Sequence, residues 1–310
     1  MEASISLKNV SKQYELRKAL KHVSFGVEKG TIFGLVGPSG AGKTTLLQIL
    51  TTLLRPDDGT VYIQGLNLET RAAKIRALTG YVPETNTLNP ELTIFENLRL
   101  HGILSGLSQD LASTRAMRHL AKFDMVDRAH DLPRELSYGL QRRAVVARAL
   151  VSHPQILYLD APTATVDFET RTNIWKNLFE LRGKTTIFFT SRDIRNAEQY
   201  ADRIMILAEG EIIMDGSAES LRSDSYRTPA YSIQFKSDNP EYEKRLRSIV
   251  GVTDLSREGR EYTLQLEPDT TLDSILRNFN PEQIERFSIH EPSLNEIMMD
   301  LIRKKRPLTE

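Results

Sequence analysis

Cysteine is absent from the 310 residues, which excludes disulfides, thiolate metal sites and cysteine nucleophiles together and fits a reducing compartment. Net charge is absent too. Forty-one basic residues balance 41 acidic ones, so no overall field draws the chain onto DNA, RNA or anionic lipid, and any polyanion site has to be local. Long apolar runs are missing: Thr185 to Thr190 and Ile204 to Ala208 are strand-length, far short of the ~20 residues that span a bilayer. If a membrane is involved, another subunit is expected to cross it. Met1 to Ile5 carries no basic region followed by an apolar one, so no secretory signal is expected and the cytoplasm is the default. The six histidines have no metal-ligand spacing, which argues against a zinc site. Trp175, the single tryptophan, falls in the helix-period segment Thr170 to Leu181 and is expected in the core.

What is present reads as an ordinary globular chain of about two domains, with 40% hydrophobic and 26% charged residues. Strand-like runs at Ser4 to Val10, Ile32 to Val36, Val61 to Ile63, Ile156 to Asp160 and Thr185 to Thr190 alternate with helix-period segments, which predicts an α/β core with parallel strands. Between Asn89 and Leu150 the strand signals vanish; Thr93 to Leu104 and Asp110 to Phe123 predict an all-helical insertion. Two strands, Ile204 to Leu207 and Glu211 to Met214, are hinged by Glu209-Gly210. The polar stretch from Ser217 to Thr228, ending at Pro229, reads as a linker. Beyond it the pattern is strand (Tyr231 to Phe235), helix (Glu241 to Val250), two strands (the second Tyr262 to Leu266), helix (Leu272 to Phe279), strand (Glu285 to His290) and helix (Ser293 to Arg303). This βαββαβα order predicts a small ferredoxin-like α+β domain.

Gly37-Pro38-Ser39-Gly40-Ala41-Gly42-Lys43-Thr44 matches G-x-x-x-x-G-K-[ST] and sits between a predicted strand and the helical run Thr45 to Leu53, the context such a loop needs. Its glycines let backbone N–H groups face phosphate oxygens, and the helix start adds partial positive charge. Lys43 is placed to reach the β- and γ-phosphates and Thr44 to ligate Mg²⁺. The strand Leu157-Tyr158-Leu159-Asp160 ends in the kind of carboxylate that holds Mg²⁺ beside such a loop.

Leu136-Ser137-Tyr138-Gly139-Leu140-Gln141 and the helical run to Leu150 resemble the LSGGQ signature of ABC-transporter ATPases and the helix after it. The resemblance continues at Tyr14, the adenine-stacking position, at Gly80-Tyr81-Val82-Pro83 before the Q-loop, and at Ala164-Thr165-Val166-Asp167, which looks like the D-loop. It covers roughly residues 4 to 222 and implies a P-loop NTPase core of the ABC-ATPase type over 1–222, with a helical subdomain at about 89–150. A linker at 223–230 and an accessory α+β domain at 231–310 follow. Glu291-Pro292-Ser293-Leu294-Asn295-Glu296-Ile297 looks like the PSLEEIF segment closing the accessory domain of ATPase subunits that serve ABC-2-type exporters. Ser293 and Glu296 also form an S-x-x-E capping box on the sequence alone.

The resemblance implies ATP and Mg²⁺ as ligands. Tyr14 would stack on adenine, and Ser39, Gly40, Ala41, Gly42, Lys43, Thr44 and Thr45 would hold the phosphates. Thr44, Asp160 and Glu84 would hold the metal, while Ser137 and Gly139 would act in trans on a second subunit's nucleotide. The partners implied are an ABC-2-type transmembrane subunit and a second ATP-binding subunit, a heterodimer preferred and a homodimeric switch possible, with no nucleic acid. The chain would then sit peripherally on the cytoplasmic face of the membrane.

Three positions depart from the family pattern. Ala161 stands where the general-base glutamate belongs, and a positioned general base is worth ~10²–10⁴-fold in rate. Arg192 replaces the switch histidine and Glu84 the Q-loop glutamine. Three changes at unconnected positions point to natural degeneracy and a site that retains ATP. The signature has drifted at Tyr138 and Leu140 but keeps Ser137 and Gly139.

Overall fold

The computed structural model describes residues 3–15, 17–225, 230–267, 270, 275, 277–290 and 293–305. They fall into two compact units, Met1–Ala218 and Glu219–Glu310.

In the first unit an antiparallel sheet is ordered β2-β1-β4-β5, from β1 (Ala3–Tyr14), β2 (Arg17–Glu28), β4 (Asp58–Ile63) and β5 (Leu66–Asn67). A second sheet is ordered β10-β9-β3-β8-β7-β6, from β3 (Ile32–Val36), β6 (Thr79–Val82), β7 (Ile156–Leu159), β8 (Thr186–Ser191), β9 (Arg203–Ala208) and β10 (Glu211–Gly216). The pairs β6–β7, β7–β8, β3–β8 and β3–β9 are parallel, and β10 closes the edge antiparallel. Strands β3, β7 and β8 are buried at every position, which is why they read as continuous apolar runs rather than alternating ones. Helix α1 (Lys43–Leu50) shares one buried cluster with both sheets through Leu46, Leu47, Ile49 and Leu50. Phe25, Phe33 and Phe188 stack across that cluster with ring centroids 5.6 and 5.2 Å apart.

Strand β2 escapes the sequence reading. Register shifts against β1 and the left-handed His22 (φ 50°) break the spacing between Leu20 and Val23, so no alternation is visible. The β9–β10 hairpin is expected, and its turn takes positive φ at both Glu209 (52°) and Gly210 (80°), the conformation that matches strand twist.

The helical segment contains α3 (Ile94–Leu104), α4 (Gln109–Lys122) and α5 (Tyr138–Leu150), after α2 (Leu68–Leu78). Thr93 and Glu96 form a reciprocal capping box, while Ser108 and Ser137 cap α4 and α5, each such cap contributing ~1 kcal/mol. Helix α6 (Phe168–Phe179) starts at Asp167, whose carboxylate accepts from Thr170 N at 2.8 Å, and α7 is Ile194–Tyr200. Trp175 is buried, stacked on Tyr200 at 4.1 Å, and its indole N–H donates to Thr163.

The stretch read as a linker is partly regular. Helix α8 (Ala218–Ser225) takes in 223–225, and Ala230 opens β11 (Ala230–Phe235), while 226–229 lie outside the described residues. Short polar side chains hid a single two-turn helix whose apolar content is little more than Leu221.

The second unit continues with α9 (Pro240–Ser248), β12 (Val252–Glu258), β13 (Glu261–Leu266), β14 (Ile284–His290) and α10 (Leu294–Lys305). Its sheet runs β12-β13-β11-β14 with every pair antiparallel, the strand order of a ferredoxin-like domain. Phe235 anchors the core, stacked on Tyr242 at 4.0 Å. The helix expected at Leu272 to Phe279 lies largely outside the described residues. Ser293 and Glu296 make the anticipated box before α10, with Ser293 N donating to Glu296 Oε2 at 2.7 Å and Glu296 N to Ser293 Oγ at 3.3 Å.

Candidate functional site

The loop between β3 and α1 crosses the C-terminal edge of the parallel sheet, where β3, β7 and β8 also deliver their last residues. One open cleft there is lined by Tyr14, Ser39 to Thr45, Glu84, Asp160, Ala161 and Arg192, so every expected nucleotide and metal residue meets in one place. Arg17, Ala19, Thr190 and Ser191 complete the lining.

Two glycines of the loop answer to packing as well as to phosphate. A Cβ at Gly37 would lie 2.0 Å from Leu207 O, and one at Gly42 would lie 2.4 Å from Ala19 O. Gly42 also caps α1 at φ 108°, a conformation that side chains rarely adopt. Lys43 is buried, and its Nζ donates to Gly37 O at 2.7 Å and Pro38 O at 2.8 Å. Burial first, and then the Arg192 cation, lowers its pKa to about 8.

Asp160 follows β7 directly and is buried, with Oδ1 accepting from Thr190 Oγ1 at 2.6 Å. Burial pushes this carboxyl up, against the Thr190 hydrogen bond that favours the ionised form. The hard oxygen donors of Thr44 and Asp160 in this cleft fit Mg²⁺, whereas Glu84, the third expected donor, lines the cleft with its carboxylate engaged by Arg192. Ala161 follows at φ 42°, its N–H donating to Thr190 Oγ1 at 2.9 Å. That tight turn aims residue 161 into the cleft, and a methyl group has no proton to accept.

Across the opening, Arg192 Nη2 donates to Glu84 Oε1 at 2.9 Å. Two departures that look unconnected in sequence are therefore joined as an ion pair, which corrects the reading of three independent changes.

Tyr14 is partly exposed, with Lys12 Nζ 6.0 Å from its ring centroid. It pairs with Arg17 across the β1–β2 hairpin, and the Arg17 guanidinium donates to Gly40 O. Sequence reading missed Arg17; the hairpin register that places it opposite Tyr14 was hidden with β2. It also missed Arg142, buried in α5. This guanidinium donates to the carbonyls of Pro83, Glu84 (3.2 Å), Asp160 (3.0 Å) and Pro162 (2.9 Å), so one side chain ties the signature helix to the two segments that follow β6 and β7.

Ser137 and Gly139 stand apart from the cleft lining, at the start of α5. Ser137 Oγ accepts from Leu140 N at 3.3 Å, and the hydroxyl stays exposed; a Cβ at Gly139 would lie 2.7 Å from Thr170 Oγ1. Tyr138 projects outward beside them, 45% exposed. Among the described residues no group of three or more His, Cys, Asp or Glu is arranged to hold a metal, and no helix is long and apolar enough to cross a membrane.

Residues 20–164 match the family model described as ABC transporter, and residues 216–302 match that of the ATP-binding protein DrrA1-3-like, C-terminal domain. The daunorubicin resistance ATP-binding protein DrrA3 of Streptomyces coeruleorubidus is 35% identical over 225 residues, 72% of this chain and 71% of its own. The Nod factor export ATP-binding protein I of Paraburkholderia xenovorans is 36% identical over 261 residues, 83% and 84% of the two chains. The linearmycin resistance ATP-binding protein LnrL of Bacillus subtilis is 29% identical over 303 residues, 96% and 97%. Among solved structures, an ATP-binding cassette in a dimeric post-hydrolysis state bound to ADP and Pi superimposes with a TM-score of 0.64 at 32% identity, covering 69% of this chain and 98% of that one.

Proposed function

The chain belongs to the ABC transporter family as an ATP-binding subunit with a DrrA-like C-terminal domain, and from that membership we propose that it serves an ABC-2-type exporter through a nucleotide site that retains ATP and hydrolyses it slowly. The observation that carries this reading is the contrast inside one cleft: a complete phosphate loop faces Ala161, which has no general-base side chain. Tyr14 stacks on adenine, the loop N–H groups and Lys43 bind the phosphates, and Thr44 and Asp160 would hold Mg²⁺, while the Glu84 carboxylate is engaged by Arg192. The metal, when bound, neutralises phosphate charge. Binding is served throughout, but no side chain at 161 takes a proton from the attacking water.

Ser137 and Gly139, exposed and close-packed respectively at the start of α5, complete the nucleotide site of a second ATP-binding subunit packed head to tail. A heterodimer suits this division best: this chain keeps ATP as a clamp, its partner hydrolyses, and both dock on transmembrane subunits. Three of its relatives are named for drug resistance or for Nod factor export, which supports an exporter.

The test is single-turnover hydrolysis with Mg²⁺ by the unaltered chain, by Ala161→Glu and by Ala161→Glu with Arg192→His. Binding without turnover in the first and a rise of ~10²-fold or more in the others is expected. Brisk hydrolysis by the unaltered chain would end the proposal.

A further inference from the structure

Glu84 and Arg192 sit 108 residues apart in sequence, yet their side chains meet at 2.9 Å on the rim of the cleft that Lys43 and Gly40 line from the other side. A guanidinium presents the same forked donors to a carboxylate and to a phosphate. We infer that Glu84 occupies, on Arg192, the place that the terminal phosphate of a nucleoside triphosphate takes, so that the pair tunes the preference of this cleft for triphosphate over diphosphate. The inference rests on the reading of the cleft as a nucleotide site and goes beyond it by naming what regulates entry.

Three observations converge. Both side chains belong to the lining of the same cleft, so the pair stands in the ligand's space and not behind it. Lys43 and Arg192 both line this cleft, and the Arg192 charge acts on Lys43, so the two cations are within electrostatic reach of one another. The pair is also exposed, with 64% of the Arg192 side chain and 47% of the Glu84 side chain open to solvent. An ion pair in that setting is weak, and a multiply charged phosphate displaces it at a small but finite cost. A diphosphate, lacking the terminal group, leaves it intact. Each residue therefore makes sense through the other: Glu84 alone would repel the nucleotide, and Arg192 alone would hold the triphosphate more tightly.

Calorimetric titration of the full chain with the β,γ-imido analogue of ATP and with ADP, each with Mg²⁺, tests this on the unaltered protein, Glu84→Gln, Arg192→Gln and the double variant. Glu84→Gln should raise the triphosphate-to-diphosphate affinity ratio about threefold to fivefold, the factor that release of an exposed ion pair allows. Arg192→Gln should lower the ratio, and adding Glu84→Gln to it should then leave the ratio unchanged. A ratio that Glu84→Gln does not move overturns the inference. So does one that it moves equally in the Arg192→Gln background, because that is simple repulsion by the carboxylate. Both results leave the nucleotide reading standing. If neither nucleotide binds any of the four proteins, the reading of the cleft falls and takes this inference with it.

Discussion

The two walls of the cleft differ in what they have kept. The wall before α1 retains every group that phosphate recognition uses: glycines held by packing against Leu207 and Ala19, a buried lysine, and a helix start. The wall formed at the ends of β6, β7 and β8 retains the buried Asp160 but presents Ala161, which has no proton acceptor, beside a Glu84 carboxylate that Arg192 engages. Binding and chemistry can thus separate within one site, because phosphate is held largely by backbone and one lysine, whereas hydrolysis depends on a few replaceable side chains.

Arg142 is the strongest place to break this contrast, since it supports the second wall from beneath. Arg142→Met would leave the carbonyls of Pro83, Glu84, Asp160 and Pro162 without their donor, and urea denaturation should show a loss of about 2–4 kcal/mol. A loss below 1 kcal/mol would mean that water replaces the guanidinium and that the wall stands without it. Lys43→Ala acts on the first wall alone: ATP affinity should fall about a hundredfold while the denaturation midpoint stays nearly fixed. Retained affinity would show that binding does not depend on this wall.

Acid offers a control outside both walls. His119 is buried with neither ring nitrogen hydrogen-bonded among the described residues, and burial lowers its pKa to about 4. Its folded value lies below the ordinary value near 6.5, so the unfolded chain binds the proton first as pH falls. The stability it contributes is present above pH 6.5 and is lost progressively down to about pH 4. That is about 1–2 kcal/mol between pH 7 and pH 5. His101 is depressed to about 4 by the same cause and burial lowers His153, whose ring lies against His119, as well, so His119→Leu should remove only part of the slope. An unchanged slope would place the acid sensitivity elsewhere, the cleft included. The smallest effect belongs to the rim. Tyr14→Ala should weaken ATP about tenfold, the worth of one stacked base, and should weaken GTP less if the ring reads the adenine.

Much of the first wall was legible in sequence because it is local: one strand, eight residues of loop and one helix carry it, and their order in the chain is their order in space. Asp160 was legible for the same reason, as the end of a recognisable strand, whereas Tyr14, beyond the strand read at Ser4 to Val10, was named only through the family resemblance. The second wall was legible only residue by residue. Nothing in the local pattern joins Glu84 to Arg192, and nothing in the α5 periodicity distinguishes Arg142, which faces the backbone around the cleft, from its likewise buried neighbour Arg143, which pairs with Glu169 instead. Those relations arise when parallel strands bring the ends of β6, β7 and β8 together. Arg17 was lost with β2, whose bulges erase the alternation that marks a strand. The accessory unit shows the complementary case, where strand order followed from the pattern of elements but helix α8 was too short and too polar to stand out.

The central claim is that this cleft keeps ATP intact. The purified chain should be loaded with γ-labelled ATP and Mg²⁺, separated from free nucleotide, held for many minutes, quenched in acid and its nucleotide separated. The account predicts that the label is recovered almost entirely as ATP. Recovery of the label mainly as free phosphate would contradict it, and would mean that a group other than residue 161 activates water in this site.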